Sequence, residues 1–162
     1  MSSALKNLSD FNHTVIPNGA GMRIAIVVAE WNIEITGSLR DGALQTLLNN
    51  GVSEKNIILK YVPGSFELPM GAQLLCADKN IDAVICLGCV IQGETRHFDF
   101  ICDAVANGVI NVGLKYNKPV IFGVLTPNTL QQAQDRAGGK HGNKGDEAAV
   151  TALKMIHLQK SL

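Results

Sequence analysis

The sequence predicts an α/β fold: one domain in three layers, an αβα sandwich with helices on both faces of a four-stranded parallel sheet. Two observations carry this. Four short apolar segments, at Arg23 to Ala29, Asn56 to Val62, Ala83 to Ile91 and Val120 to Leu125, alternate with segments of helical spacing. The third of them, AVICLGCVI, is apolar without interruption, the mark of a parallel strand covered on both sides. Such alternation implies right-handed βαβ crossovers.

The elements follow in order. Residues 1–21 are polar and irregular, end in Pro17-Asn18-Gly19-Ala20-Gly21, and read as an arm ahead of an α/β core at 22–158. After the first strand a helix runs from about Ile33 to Asn50 and stops at Gly51. Behind the second strand, Pro63-Gly64-Ser65 turns into a helix reaching about Lys79, with Pro69 tolerated only near its start. The third strand opens into Gln92-Gly93-Glu94-Thr95-Arg96-His97, and the Phe98, Ile101, Cys102, Val105 spacing continues as a helix. Beyond the fourth strand, Pro127 and Asn128 open a helix from about Thr129 to Ala137, and a last helix spans about Asp146 to His157. The glycine-rich run Gly138 to Gly145 between them fits neither the P-loop nor the dinucleotide fingerprint, and on spacing alone it reads either as a functional loop or as a flexible connector.

Composition narrows the function. The chain has 162 residues, 46% hydrophobic and 17% charged, with a mean hydropathy of +0.15, which leaves an apolar surplus suited to contacts between subunits. Fourteen basic residues balance fourteen acidic ones without a basic stripe, which argues against nucleic acid and membrane surfaces as partners. The N-terminal MSSALKNLSDFNHT lacks the pattern of a signal peptide and no apolar run approaches a membrane span, so a cytoplasmic location is expected. Cys86 and Cys89 have the C-x-x-C spacing, but within a strand residues three apart point to opposite faces, so they are expected to be core thiols with no metal or disulfide between them.

Ligands of open α/β sheets bind beyond the carboxyl ends of the strands, and here those ends carry chemistry. Trp31, the single tryptophan, follows the first strand in Ala29-Glu30-Trp31-Asn32 and is placed to stack on a planar ring. Gly64-Ser65-Phe66-Glu67 offers backbone donors, a hydroxyl and a carboxylate for a polar ring edge or a polyol, although Glu67 equally suits complementing the dipole in a first helical turn. At the third strand's end, a glycine turn precedes a helix N-terminus, an anion cradle, with Thr95 as a further donor and His97 able to move protons near neutral pH. Arg136 stands before the glycine-rich run, suited either to gripping a phosphate or, as a helix C-terminal cation, to complementing the dipole. With no metal set and no activated Ser or Cys, two substrates would react with each other.

From about Arg23 to His157 the chain resembles the lumazine synthase family. The resemblance rests on Ala29-Glu30-Trp31-Asn32, on Val62-Pro63-Gly64-Ser65-Phe66-Glu67-Leu68-Pro69, on Gly93-Glu94-Thr95-Arg96-His97-Phe98-Asp99, on Phe122-Gly123-Val124-Leu125-Thr126, and on Arg136-Ala137-Gly138 through Asn143-Lys144-Gly145. It implies a flavodoxin-like fold and a cofactor-independent transferase of riboflavin biosynthesis. That enzyme condenses 5-amino-6-(D-ribitylamino)uracil with 3,4-dihydroxy-2-butanone 4-phosphate to give 6,7-dimethyl-8-ribityllumazine, phosphate and water. By the same resemblance Trp31 stacks on the pyrimidine, Ser65, Phe66 and Glu67 hold its ring and ribityl chain, and Cys89, Val90 and Ile91 line the pocket. Phe122 covers the ring from a neighbouring subunit and Lys144 lies close by. Glu94, Thr95 and the neighbour's Arg136 take the phosphorylated ketone, and His97 is the catalytic proton-transfer residue. A homopentamer is also implied; the short glycine-rich loop points to twelve pentamers in an icosahedral shell, and association with riboflavin synthase follows.

Two rival classes remain at this stage. A receiver or flavodoxin-type module shares the alternation, but the first lacks its clustered acids here and the second its Ser/Thr-rich phosphate loop. An inactive shell-forming or ligand-binding protein of the same fold is the other; the joint presence of Trp31, Glu67, His97, Phe122 and Arg136 argues against it.

Overall fold

A computed structural model describes residues 7–11 and 15–162. Of the arm expected at 1–21, residues 1–6 and 12–14 lie outside the described residues. The elements are β1 (Ile24–Ala29), α1 (Ile33–Asn49), β2 (Ile57–Val62), α2 (Leu68–Cys76), β3 (Ala83–Cys89), α3 (His97–Tyr116), β4 (Val120–Leu125), α4 (Leu130–Asp135), β5 (Ala137–Gly139), β6 (Gly142–Asn143) and α5 (Lys144–Lys160). The first four strands form one parallel sheet in the order β2-β1-β3-β4, the expected α/β architecture.

Residue alternation along the central strands decides which helix covers which face. Ile24, Ile26 and Val28 of β1 and Ile85, Leu87 and Cys89 of β3 pack with Leu39, Ala43 and Leu47 of α1 and Ala149, Leu153 and Ile156 of α5. The intervening Ala25, Val27 and Ala29, with Val84 and Cys86, pack with Leu68 and Ala72 of α2 and Val105, Val109 and Val112 of α3. Every residue of β1 and β3 is therefore buried, and each large side chain so covered contributes on the order of 1.5–3 kcal/mol. β2, at one edge, is only half covered.

Several boundaries differ from the sequence reading for tertiary reasons. α2 stops at Cys76 and not near Lys79, because Lys118 Nζ reaches across from the α3–β4 turn and donates to the carbonyls of Cys76 and Asp78. Short 3-10 turns precede β2 at Glu54–Asn56 and α2 at Ser65–Glu67. The glycine-rich connector is ordered as the antiparallel β5–β6 hairpin. α5 begins at Lys144 because the Asn143 carboxamide accepts the Gly145 N–H at 2.8 Å while its amide donates to the Ser38 carbonyl at 2.9 Å. Of the arm, the Leu8 N–H donates to the His141 carbonyl and the Ser9 hydroxyl accepts the Asn143 N–H, so residues 7–11 lie against this hairpin.

Gly145 lets α5 approach α1 closely: a Cβ there would run into the Leu39 carbonyl. Gly145→Ala should therefore cost about 1–3 kcal/mol through overpacking. Denaturant unfolding at fixed protein concentration checks this, and a midpoint equal to the parent's would show that the two helices part without cost.

Candidate active site

At the carboxyl end of the sheet the strand-to-helix turns surround a cleft of about 450 Å³. The turns are tied to one another by backbone bonds: Glu30 and Trp31 donate to the carbonyls of Val62 and Pro63, while Val90 and Gln92 donate to those of Leu125 and Pro127. Asn32 completes the frame. It sits in the left-handed region at φ 61°, which Asn tolerates better than most residues, and its carboxamide donates to the Cys89 carbonyl at 3.0 Å. The end of β1 is thereby drawn onto the end of β3. Sequence reasoning placed no role on Asn32; its only local signal is an Asn where the chain leaves a strand and must turn at once.

Nine of the expected site residues line this cleft: Trp31, Ser65, Phe66, Glu67, Cys89, Val90, Ile91, Thr95 and His97. Trp31 is 73% exposed and Phe66 57%, unusual for rings of that size and a consequence of their place on turns beyond the strands. Glu67 is exposed. The Ser65 hydroxyl is buried, has no hydrogen-bond partner among the described residues, and fits only because Gly88 opposite it lacks a Cβ. No base among the described residues is bonded to that hydroxyl to activate it as a nucleophile.

His97 is the first residue of α3, exposed, and its N–H points to the Thr95 hydroxyl at 3.4 Å. The Asp99 N–H goes to the Arg96 carbonyl at 3.1 Å, and the positive end of this 20-residue helix's dipole lies beside the imidazole. Glu94, on the same turn, is exposed and does not line the cleft.

Phe122, Arg136 and Lys144 lie elsewhere in the chain. Phe122 is on edge strand β4, in register with Cys86, and half-buried toward the α3 face. Arg136 follows α4, with Nη1 donating to the Gln132 carbonyl at 3.2 Å and no carboxylate partner among the described residues. The neighbouring lysines differ from it. Lys140 pairs with Asp135 at 3.1 Å and Lys144 with Glu147 at 2.7 Å. Hydrogen bonds from Gln131 and then Lys140 hold the Asp135 carboxyl below the usual carboxylate range, so it is ionised at neutral pH.

The thiols are inert by burial. Cys86 faces the α2–α3 side and Cys89 the α1–α5 side, so the C-x-x-C pair diverges as strand geometry requires. Burial pushes the Cys89 thiol up to about 12 and the Cys86 thiol further still. At neutral pH Cys89 is therefore protonated. The cleft thus offers an aromatic platform, hydrogen-bonding groups, an anion-accepting helix start and one imidazole.

The family model for 6,7-dimethyl-8-ribityllumazine synthase matches residues 21–160. The chain is 64% identical to the 6,7-dimethyl-8-ribityllumazine synthase of Cytophaga hutchinsonii over 156 residues, covering 96% of this chain and 98% of that one. It is 53% identical to the protein of the same name from Parabacteroides distasonis, covering 97% and 98% of the two chains. With that of Porphyromonas gingivalis the identity is 52%, over 99% of each chain.

Proposed function

We propose, from the premise that the chain belongs to the 6,7-dimethyl-8-ribityllumazine synthase family, that its reaction runs in the cleft beyond β1, β2 and β3, with His97 moving the protons. The reaction is the condensation of 5-amino-6-(D-ribitylamino)uracil with 3,4-dihydroxy-2-butanone 4-phosphate to 6,7-dimethyl-8-ribityllumazine, a step of riboflavin biosynthesis. The observation that carries the assignment is the meeting, in one cleft, of the Trp31 ring with the His97 imidazole at the start of α3.

In this reading Trp31 stacks on the pyrimidine, while Ser65, Phe66 and Glu67 hold its polar edge and the ribityl chain. Cys89, Val90 and Ile91 form the wall beneath. The phosphate sits at the opening turn of α3, on backbone N–H groups of Glu94 and Thr95. There the exposed Glu94 carboxylate has room to point away from it. The uracil amine attacks the ketone carbonyl to give an imine with loss of water, phosphate is eliminated to leave an enol that tautomerises to a second carbonyl, and the ribityl-bearing amine closes the ring on that carbonyl with loss of a second water. None of these steps asks the protein for a nucleophile. Holding two reactants in register supplies on the order of 7–11 kcal/mol of the barrier reduction. Proton transfer by His97 adds about 10²- to 10⁴-fold.

The family is oligomeric. For this chain the finer reading is a cytoplasmic pentamer whose sites form between neighbours, with Phe122, Arg136 and Lys144 reaching the cleft of the adjacent subunit. Its support is that these residues lie away from their own cleft, that Arg136 has no ion-pair partner among the described residues, and that Ile110, Leu114, Met155 and Leu158 expose an apolar groove beside the β4 edge. The four free thiols suit a reducing compartment. The short β5–β6 hairpin leaves room for twelve pentamers to close into a shell, and riboflavin synthase is the partner such a shell would associate with.

Mixing both substrates with the protein should produce lumazine absorbance, and His97→Ala should slow its appearance about 10²- to 10⁴-fold without loss of fold or assembly. Rates within about threefold of the parent would reduce His97 to a surface residue.

Sites shared between neighbours make a second expectation. His97→Ala and Arg136→Ala chains, each poorly active alone, should regain activity when refolded together and not when mixed after assembly. Proven mixed assembly without recovery would put both residues in one subunit's site.

A further inference from the structure

We infer that Asp135 is a positioning residue for phosphate recognition: it clamps the β5–β6 hairpin onto the end of α4 and so fixes the backbone from which Arg136 projects. The inference rests on the reading that Arg136 grips the phosphate of the ketone substrate. Three bonds converge on Asp135, which is nearly buried. Its carboxylate accepts from Gln131 Nε2 at 3.0 Å and pairs with Lys140 Nζ at 3.1 Å, while its backbone carbonyl accepts the His141 N–H at 2.8 Å. One partner precedes it on α4; two come from the hairpin.

The next residue is Arg136, and its backbone is held from both sides. Its N–H donates to the Ala133 carbonyl at 3.1 Å and its own carbonyl accepts the Lys144 N–H at 2.9 Å, where the hairpin returns to α5. The hairpin passes so close over the helix end that a Cβ at Gly139 would lie 2.8 Å from the Asp135 Cα. A guanidinium recognises phosphate through paired N–H groups at fixed spacing, so loosening its backbone weakens it in a way a point charge would not be weakened. The same clamp neutralises Lys140, which leaves Arg136 as the cation of this turn with no carboxylate partner among the described residues.

The sign of one mutation separates positioning from charge. Asp135→Asn removes a negative charge next to a phosphate-binding arginine and frees Lys140; by charge alone, the phosphorylated ketone should bind more tightly. Positioning demands the opposite. In the assembled enzyme Asp135→Asn should raise KM for 3,4-dihydroxy-2-butanone 4-phosphate about three- to tenfold, with KM for the uracil and kcat within about twofold of the parent. Gln131→Met removes one bond to Asp135 at an exposed position with no change in net charge. It should raise the same KM about two- to fourfold, and it carries the test if the first variant does not assemble. Arg136→Ala is measured in parallel. If it leaves the ketone KM unchanged, the reading of Arg136 fails, and this inference with it. If it raises that KM while Asp135→Asn or Gln131→Met leaves it unchanged or lowers it, the positioning inference alone is overturned.

Discussion

The complete burial of β1 and β3 governs the rest of the molecule. A parallel strand covered on both faces has no surface along its length on which to place a functional group, and its backbone polar groups are consumed by the sheet. Polar and reactive residues are displaced to the strand ends. There the chain turns abruptly, side chains such as Trp31 and Phe66 stay uncovered, and a helix starting at His97 brings the positive end of its dipole to the strand ends. The cleft is what such a sheet produces at its carboxyl edge once the turns are tied together, and Asn32 on the Cys89 carbonyl ties the turn after β1 to the end of its ladder partner β3.

The chemistry assigned to the cleft matches what the protein can and cannot supply. Cys89 touches the cleft but burial keeps it protonated, and Ser65 has a hydroxyl with nothing to activate it. A reaction between two bound substrates makes no demand on either group. It needs a flat platform, a place for an anion, and a residue that moves protons, all on turns whose positions are set by the sheet. Charge is handled in the same economical way around the hairpin: Asp135 and Glu147 each take a lysine, and among the described residues the guanidinium of Arg136 has a carbonyl and no carboxylate.

Much of this was legible in the order of residues. Unbroken apolar runs at β1 and β3 located the central strands, and Trp31, Gly64 to Glu67 and Thr95 to His97 stood out because polar and aromatic groups followed those runs directly. What escaped depended on contacts distant in sequence. The end of α2 is set by Lys118, some forty residues on. The β5–β6 hairpin looked like a flexible connector because its strands are too short to show a pattern, and its order comes from the Asp135 carbonyl and from Asn143 bonded to Ser38. Asn32 gave too weak a local signal for its carboxamide bond to be anticipated. The residues of the reading that a single chain does not bring to the cleft, Phe122, Arg136 and Lys144, are those for which a neighbouring subunit is invoked.

The central claim is that the cleft beside Trp31 is where the aromatic substrate binds, and this tryptophan, the only one in the chain, reports on it directly. Its ring is largely uncovered, so a heterocycle stacked on it should change its emission. Titrating the assembled protein with 5-amino-6-(D-ribitylamino)uracil, in the absence of the ketone and with correction for absorbance, should quench Trp31 fluorescence saturably, with a midpoint equal to the dissociation constant found by calorimetry. Calorimetric saturation with no change in Trp31 emission would place the substrate elsewhere and contradict the account.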